Sequence, residues 1–114
     1  MLEPKSVKEV QEVVNTASTA MLIRGGGTKT ALSTSSGNET VIDLSNLSGI
    51  LEYRPEEFTF TALSGTSLKN ITEMLSENGQ WLPFDPPMAK IGATIGGTLA
   101  TGFSGPGRYR FGGA

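Results

Sequence analysis

The spacing of apolar residues predicts two helices in this chain. In the first, over Ser6–Ala17, valines and alanine recur every three or four positions and therefore fall on one helical face. Ser6 and Glu9 stand at the spacing of a capping box, in which a hydroxyl accepts a hydrogen bond from the amide three residues later. Because β-branched valine lowers helix propensity, we expect this helix to be stabilised by packing against a sheet.

The second predicted helix follows Ser67, whose hydroxyl is the expected N-cap. Its apolar face consists of Leu68, Ile71, Met74 and Leu75. Gly79 lies where a residue with left-handed backbone would end the helix. The sequence therefore predicts both ends of this helix as well as its buried side.

Four short stretches predict strands. Ala20–Ile23 is an apolar run that stops at Arg24 and three glycines, which is typical of a buried strand that leads into a tight loop. Residues 41–44 and 50–53 are further candidates, and 58–63 alternates apolar and polar positions as a half-buried strand does.

This mixture of helices and strands predicts an α+β fold. We expect a small mixed α/β unit over residues 1–90 and a glycine-rich segment over residues 91–114, where more than half of the fifteen glycines lie. The proline-rich stretch LPFDPP, at 82–87, separates the two and suits neither a central strand nor a helix.

Composition excludes several classes of protein. The 114 residues include no cysteine and no histidine, so disulfides, thiolate metal sites and histidine-dependent triads are absent. The net charge of −2 and the scattered basic residues argue against a nucleic-acid groove. With no apolar run of about 20 residues and no signal-peptide core, we expect a cytoplasmic protein without a transmembrane segment.

The first candidate site is the loop IRGGGTK, at 23–29. Three adjacent glycines remove every Cβ, so backbone N–H groups can approach an anion closely, with Arg24, Thr28 and Lys29 as additional donors. A valine at Gly26 is therefore expected to block a ligand while leaving folding largely intact. A bare run of three glycines is equally compatible with a turn that binds nothing.

The second candidate site is GATIGGTLATGFSGPGRYRFGG, at 92–113. Its glycines and hydroxyls suit a surface that follows a long, flat, partly polar ligand. The alternative is a disordered linker, but Ile95, Leu99 and Phe103 recur every four residues as a short helical face does. Neither segment contains a Walker A loop or the pattern GxGxxG, so a dinucleotide would be bound in another way.

Together, IRGGGTK, LPFDPP and the second segment resemble the FAD-binding (PCMH-type) domain of the vanillyl-alcohol oxidase and p-cresol methylhydroxylase superfamily. Within it, the chain is similar to the FAD-binding subunits of bacterial glycolate oxidases. The resemblance spans the whole chain and implies the N-terminal part of a two-subdomain FAD-binding domain, truncated at its C-terminal side. Because Thr28 stands where covalently flavinylated relatives have histidine, the resemblance implies non-covalent FAD.

The resemblance also implies the residues that contact the cofactor. They are Arg24, Gly25, Gly26, Gly27, Thr28, Lys29, Gly92, Ala93, Thr94, Gly96, Gly97, Thr101, Gly102, Ser104, Gly105 and Gly107. No catalytic base and no metal ligand is assigned. The expected reaction is oxidation of a 2-hydroxy acid such as glycolate to a 2-oxo acid, and the fragment alone is expected to be inactive.

The implied partners are a second flavin subunit and an iron-sulfur subunit of a glycolate-oxidase-like complex, which could hold the chain at the inner membrane face. One alternative is a non-catalytic module that supports such a complex, and another is a relative of the flavin reductases of cell-wall synthesis. Trp81 is expected in the core, Asp85 in a turn, and Arg108–Arg110 either at the ligand or in solvent.

Overall fold

A computed structural model describes residues 2–27, 39–83 and 92–102 of the chain. The fold is α+β, as predicted. The helices in these ranges are α1 (Val7–Thr16), α2 (Leu68–Ser76) and α3 (Ile95–Thr101). The strands are β1 (Met21–Arg24), β2 (Thr40–Asp43), β3 (Ile50–Arg54) and β4 (Thr59–Ala62), and a 3-10 helix (Pro55–Glu57) joins the last two.

The four strands form two separate two-stranded sheets. β1 and β2 are parallel, with Arg24 opposite Asp43 at their carboxyl ends, and Leu2 pairs with the other side of β2. β3 and β4 form an antiparallel hairpin. Phe58, predicted within the last strand, instead lies in the turn before it, with a left-handed φ of 56°.

The core is built from β2, the turn after it, α2 and the residues just before α3. Its buried apolar side chains are Ile42, Leu47, Leu68, Ile71, Leu75 and Ala93. Three of these come from α2, which confirms the predicted apolar face apart from Met74, whose side chain is only half-buried. The described part of the glycine-rich segment, residues 92–102, contributes Ala93, so this part is attached to the core.

Both ends of α2 form as its sequence predicts. The Ser67 hydroxyl accepts a hydrogen bond from the amide of Asn70 at 3.1 Å. At the other end, Gly79 has a φ of 67° and donates to the Ser76 carbonyl at 3.0 Å, while Gln80 donates to the Leu75 carbonyl at 2.8 Å. This pair of bonds is the Schellman arrangement, which satisfies carbonyls that the helix leaves unpaired.

Helix α1 forms with the predicted N-cap, but the expectation that it packs against a sheet is wrong. The Ser6 hydroxyl accepts from the Glu9 amide at 3.2 Å. None of its residues is buried, and Val7 and Val14 are 54% and 46% exposed. No helix in the described ranges has the length and apolar character needed to cross a lipid bilayer.

Because Ile71 is fully buried in α2, truncating it should leave a cavity. We expect Ile71→Ala to lower the free energy of unfolding by about 2–5 kcal/mol. Val14→Ala, on the exposed face of α1, is the control and should change it by only about 0.5 kcal/mol. Urea denaturation followed by circular dichroism measures both, and equal losses would contradict this description of the core.

Candidate functional site

The first glycine loop leaves the parallel sheet at its carboxyl edge. Arg24 ends β1, and Gly25, Gly26 and Gly27 follow directly. Gly26 is exposed, while the glycines on either side of it are half-buried. In open sheets with parallel strands, ligands bind just beyond the carboxyl ends, where loops present free backbone groups. The loop therefore lies where a ligand site is expected.

The second glycine segment is fixed to the loop that precedes α2. The amide of Leu68 donates to the Ala93 carbonyl at 2.9 Å, and the amide of Ile95 donates to the Thr66 carbonyl at 3.0 Å. These bonds form an isolated antiparallel bridge. Because both partners in the loop are buried, the bridge gives the start of the second segment a defined position.

The two glycine segments lie in direct contact. A Cβ built at Gly26 would overlap the carbonyl oxygen of Gly92 and lie 2.8 Å from its carbonyl carbon. A Cβ at Gly25 would overlap the hydroxyl of Thr94. Two segments that are more than sixty residues apart in the chain therefore share one surface, and only glycine allows this approach at positions 25 and 26.

Helix α3 begins at this contact and is held there by threonines. Thr94 is the N-cap, and its hydroxyl accepts from the amide of Gly97 at 3.2 Å. The hydroxyl of Thr98 donates to the Thr94 carbonyl at 2.8 Å. Both threonines are buried, so their hydroxyls serve the protein itself.

A charged pair stands beside the loop. The Nε of Arg24 lies 3.7 Å from a carboxylate oxygen of Asp43. Ser45 donates to that carboxylate from its hydroxyl at 2.6 Å and from its amide at 2.9 Å. The Ser45 hydroxyl, its amide and the Arg24 guanidinium together lower the pKa of Asp43 from its ordinary value, against the opposing effect of burial. Asp43 is therefore a fixed anion next to the glycine loop.

An open groove of about 510 Å³ is lined by residues of β4 and α3. Phe60 and Ala62 of β4 form one wall, and Ile95 and Leu99 of α3 form the other. Its volume lies within the range of about 300–1,000 Å³ that is usual for small-molecule sites. The groove adds apolar surface next to the backbone groups of the glycine segments.

The predicted site residues take different positions. The structure describes Arg24, Gly25, Gly26, Gly27, Gly92, Ala93, Thr94, Gly96, Gly97, Thr101 and Gly102. The first loop and residues 92–94 come together, whereas Thr101 and Gly102 lie further along α3 and at its end. The remaining predictions, Thr28, Lys29, Ser104, Gly105 and Gly107, lie outside the described residues, as do Asp85, Phe103 and Arg108–Arg110.

Two predicted contact residues have internal roles in this structure. Ala93 is only 1% exposed and belongs to the core. A Cβ at Gly96 would lie 2.7 Å from the Cβ of Ser64, so this glycine allows α3 to pack against the loop before α2. Trp81 was expected in the core, and this is wrong because it is 59% exposed.

Sequence reasoning missed Asp43 and Ser45. Asp43 is the last residue of β2, and Ser45 lies two positions after it. The only feature of the sequence that could have indicated this pair is an acidic residue near the end of a predicted strand. That signal did not connect Asp43 to Arg24, because the connection requires the parallel pairing of β1 with β2. Hydrogen bonds between residues two apart are typical of the turns that such side chains make.

Comparisons with known proteins show the family of this chain. A family described as FAD binding domain matches residues 1–114. The glycolate oxidase subunit GlcE of Escherichia coli (strain K12) is 38% identical over 90 residues, which cover 79% of this chain and 25% of that protein. The chain thus spans about a quarter of the length of this relative.

The fold also matches solved structures. Two crystal forms of alkyldihydroxyacetonephosphate synthase superpose on it with TM-scores of 0.78 and 0.77, at 24% and 25% sequence identity. In both cases the match covers 97% of this chain and 22% of the other chain. The chain therefore has the fold of a fraction of that larger protein.

The contact between Gly26 and Gly92 corrects the expectation that a side chain at Gly26 would leave the fold intact. Because its Cβ would overlap backbone, which cannot rotate away, we expect Gly26→Ala to separate the two segments. The control is Gly79→Ala, where a Cβ meets open space. This substitution should lower the free energy of unfolding only by the cost of a left-handed backbone at alanine, about 1–2 kcal/mol. Urea denaturation should give the larger loss for Gly26→Ala, and the reverse order would contradict the contact.

Removing the Ser45 hydroxyl should raise the pKa of Asp43, because that hydroxyl is the largest cause of its lowering. A carboxylate whose folded pKa lies below its unfolded value of about 3.9 stabilises the fold above that pH, and this stability disappears as the pH falls through the lowered pKa. We expect Ser45→Ala to cost about 1–2 kcal/mol above roughly pH 4 and less below it. Carboxyl NMR titration measures the pKa, and an unchanged Asp43 value would refute the assignment.

Proposed function

This chain belongs to the FAD-binding domain family, and we propose that its two glycine segments together bind the pyrophosphate of FAD. The observation that supports this most strongly is the direct contact of Gly26 with Gly92. It brings backbone from both segments to one surface at the carboxyl edge of β1 and β2. A diphosphate needs several donors from different directions, and converging peptide groups supply them.

The residues around this surface fit a diphosphate. The buried Nε of Arg24 has no hydrogen-bond partner within the described residues, and the rest of its guanidinium lies against Gly27. Gly26 is exposed, so its peptide groups are accessible to a ligand. A cation next to exposed, side-chain-free backbone is the donor set that phosphate oxygens require.

We extend the proposed site to the predicted residues outside the described ranges. Thr28 and Lys29 continue the first loop, and Ser104, Gly105 and Gly107 continue the second segment beyond α3. We propose further that residues 1–90 form the α/β unit, that residues 91–114 follow the cofactor, and that FAD is bound without a covalent link. The apolar groove between β4 and α3 offers a surface for a flat ring.

For the reaction, we propose a component of a flavin-dependent oxidoreductase that converts a 2-hydroxy acid to a 2-oxo acid. The support is the likeness to a glycolate oxidase subunit, of which this chain spans about a quarter. FAD would supply the acceptor for the hydride of the α-carbon, and the protein would bind and orient it. The partners would be a second flavin subunit and an iron-sulfur subunit, in the cytoplasm or at the inner membrane face.

A second candidate function is a module that mainly binds other protein. The observation that favours it is the amount of exposed apolar surface: Phe58 is 83% exposed, Leu51 64% and Ile23 60%. Large apolar side chains that are exposed in this way offer surface that another chain or domain could cover. This candidate predicts association with partner subunits even when no flavin is bound.

The direct test of FAD binding is a titration of FAD into the purified 114-residue chain while flavin fluorescence is recorded. We expect saturable binding and competition by ADP, because ADP has the same pyrophosphate that the glycine segments are proposed to hold. Riboflavin, which has the ring system without phosphates, is the matched control and should compete weakly.

The outcomes separate the two candidate functions. Competition by riboflavin as strong as that by ADP would contradict a site built around phosphates. A chain that binds no FAD but still associates with partner subunits would favour the interaction module.

A further inference from the structure

Arg24 is held in an unusual position next to the first glycine loop. A Cβ at Gly27 would lie 2.7 Å from its Nη2 and 3.4 Å from its Cζ, so the guanidinium lies directly over this glycine. The Arg24 side chain as a whole is 40% exposed, although its Nε is buried. Its place over Gly27 is possible only because no side chain is present there.

Asp43 borders the same guanidinium from the neighbouring strand. Its carboxylate lies 3.7 Å from Nε of Arg24, because the parallel register places the two residues opposite each other. Asp43 is 8% exposed, and both donors of Ser45 hold it in place. The Arg24 guanidinium thus lies between a fixed carboxylate on its Nε side and the glycine loop on its Nη2 side.

We propose that Asp43 is a positioning residue for cofactor binding: it orients the Arg24 guanidinium over Gly27 so that its Nη groups face the diphosphate. This inference rests on the proposed function and adds a specific requirement to it. The Asp43 carboxylate would repel phosphate, so Asp43 does not contact the ligand itself. It acts by fixing the position of the Arg24 side chain. Neither the family match nor the likeness to other proteins assigns a role to this residue.

Two opposing effects of Asp43 decide the sign of the test. Its negative charge reduces the attraction of the loop for an anion, so removing the charge would tighten binding if charge alone mattered. Arginine has many rotamers, however, and a ligand that must itself order the side chain binds more weakly. We expect orientation to outweigh charge, because Asp43 is fixed by Ser45 before any ligand arrives.

The test is a double-mutant cycle in the 114-residue chain with Asp43→Asn and Arg24→Gln. Asparagine retains an oxygen that accepts from Ser45, so the first variant removes the charge and preserves the turn. The FAD dissociation constant is measured by flavin fluorescence, and the ADP dissociation constant by calorimetry. Arg24→Gln should weaken both by about tenfold, and Asp43→Asn should weaken both by about fivefold.

The decisive readout is coupling. In the Arg24→Gln background, Asp43→Asn should no longer weaken binding of either ligand, and loss of its repulsion should leave both dissociation constants unchanged or lower, because the weakening effect requires the guanidinium. A merely structural role would weaken binding equally in both backgrounds and would overturn the proposal. Unchanged or tighter binding by Asp43→Asn alone would also overturn it.

Two controls keep this test independent of folding and net charge. Glu52→Gln removes the same charge from an exposed ion pair with Arg54 in the other sheet, and it should leave both dissociation constants unchanged. Thermal melting without ligand shows whether Asp43→Asn is folded, and Ser45→Ala, which loosens Asp43 without touching Arg24, should weaken FAD binding in the same direction.

Failure of the positioning role and failure of the proposed function give different results. If the wild-type chain binds FAD and ADP and the coupling is absent, only the role of Asp43 is refuted. If the wild-type chain binds neither ligand, the proposed function fails and the positioning role fails with it.

Discussion

The structure depends on one close approach between two stretches of backbone. At Gly26 the chain passes so near to the backbone of Gly92 that no Cβ fits between them, and a Cβ at Gly25 would overlap the side-chain hydroxyl of Thr94. Glycine loses more conformational freedom on folding than other residues, so these positions cost stability. The close approach offsets this cost because it joins two segments that would otherwise lie apart. It also leaves peptide groups of both segments exposed on one surface.

The rest of the fold keeps this approach in place. The loop before α2 pairs with the second segment, and Gly65 within that loop packs closely against the turn after β2, where a Cβ would lie 2.7 Å from the Leu47 carbonyl oxygen. Thr66 is 2% exposed, and its hydroxyl bonds to the Leu63 carbonyl and to Gly49. Turns from both sheets therefore meet around one buried threonine, and the position of the second segment follows from them.

The charged groups next to the first glycine loop differ from the charge balance of the chain as a whole. The chain as a whole has a net charge of −2, which gives no general attraction for an anionic cofactor. At the glycine loop, the only charged groups that the described residues place close together are Arg24 and Asp43. The exposed part of the loop at Gly26 is backbone without a side chain, and peptide N–H groups of this kind can bind anions without adding net charge to the surface. This arrangement suits a ligand that also has large apolar and neutral polar parts, for which the groove beside α3 provides space.

The sequence by itself determined the local structure. Hydroxyl caps at Ser6 and Ser67, the left-handed Gly79 and the apolar face of α2 were all predicted, because each depends on residues within a few positions of one another. The two glycine segments, and their resemblance to a FAD-binding family, could also be recognised along the chain. Only the tertiary structure decided that these segments touch, that Ala93 and Gly96 face the protein, and that Asp43 stands next to Arg24. Such contacts join residues that are far apart in the sequence. They depend on strand pairing and on the space at glycines, and the periodicity of apolar residues along the chain predicts neither.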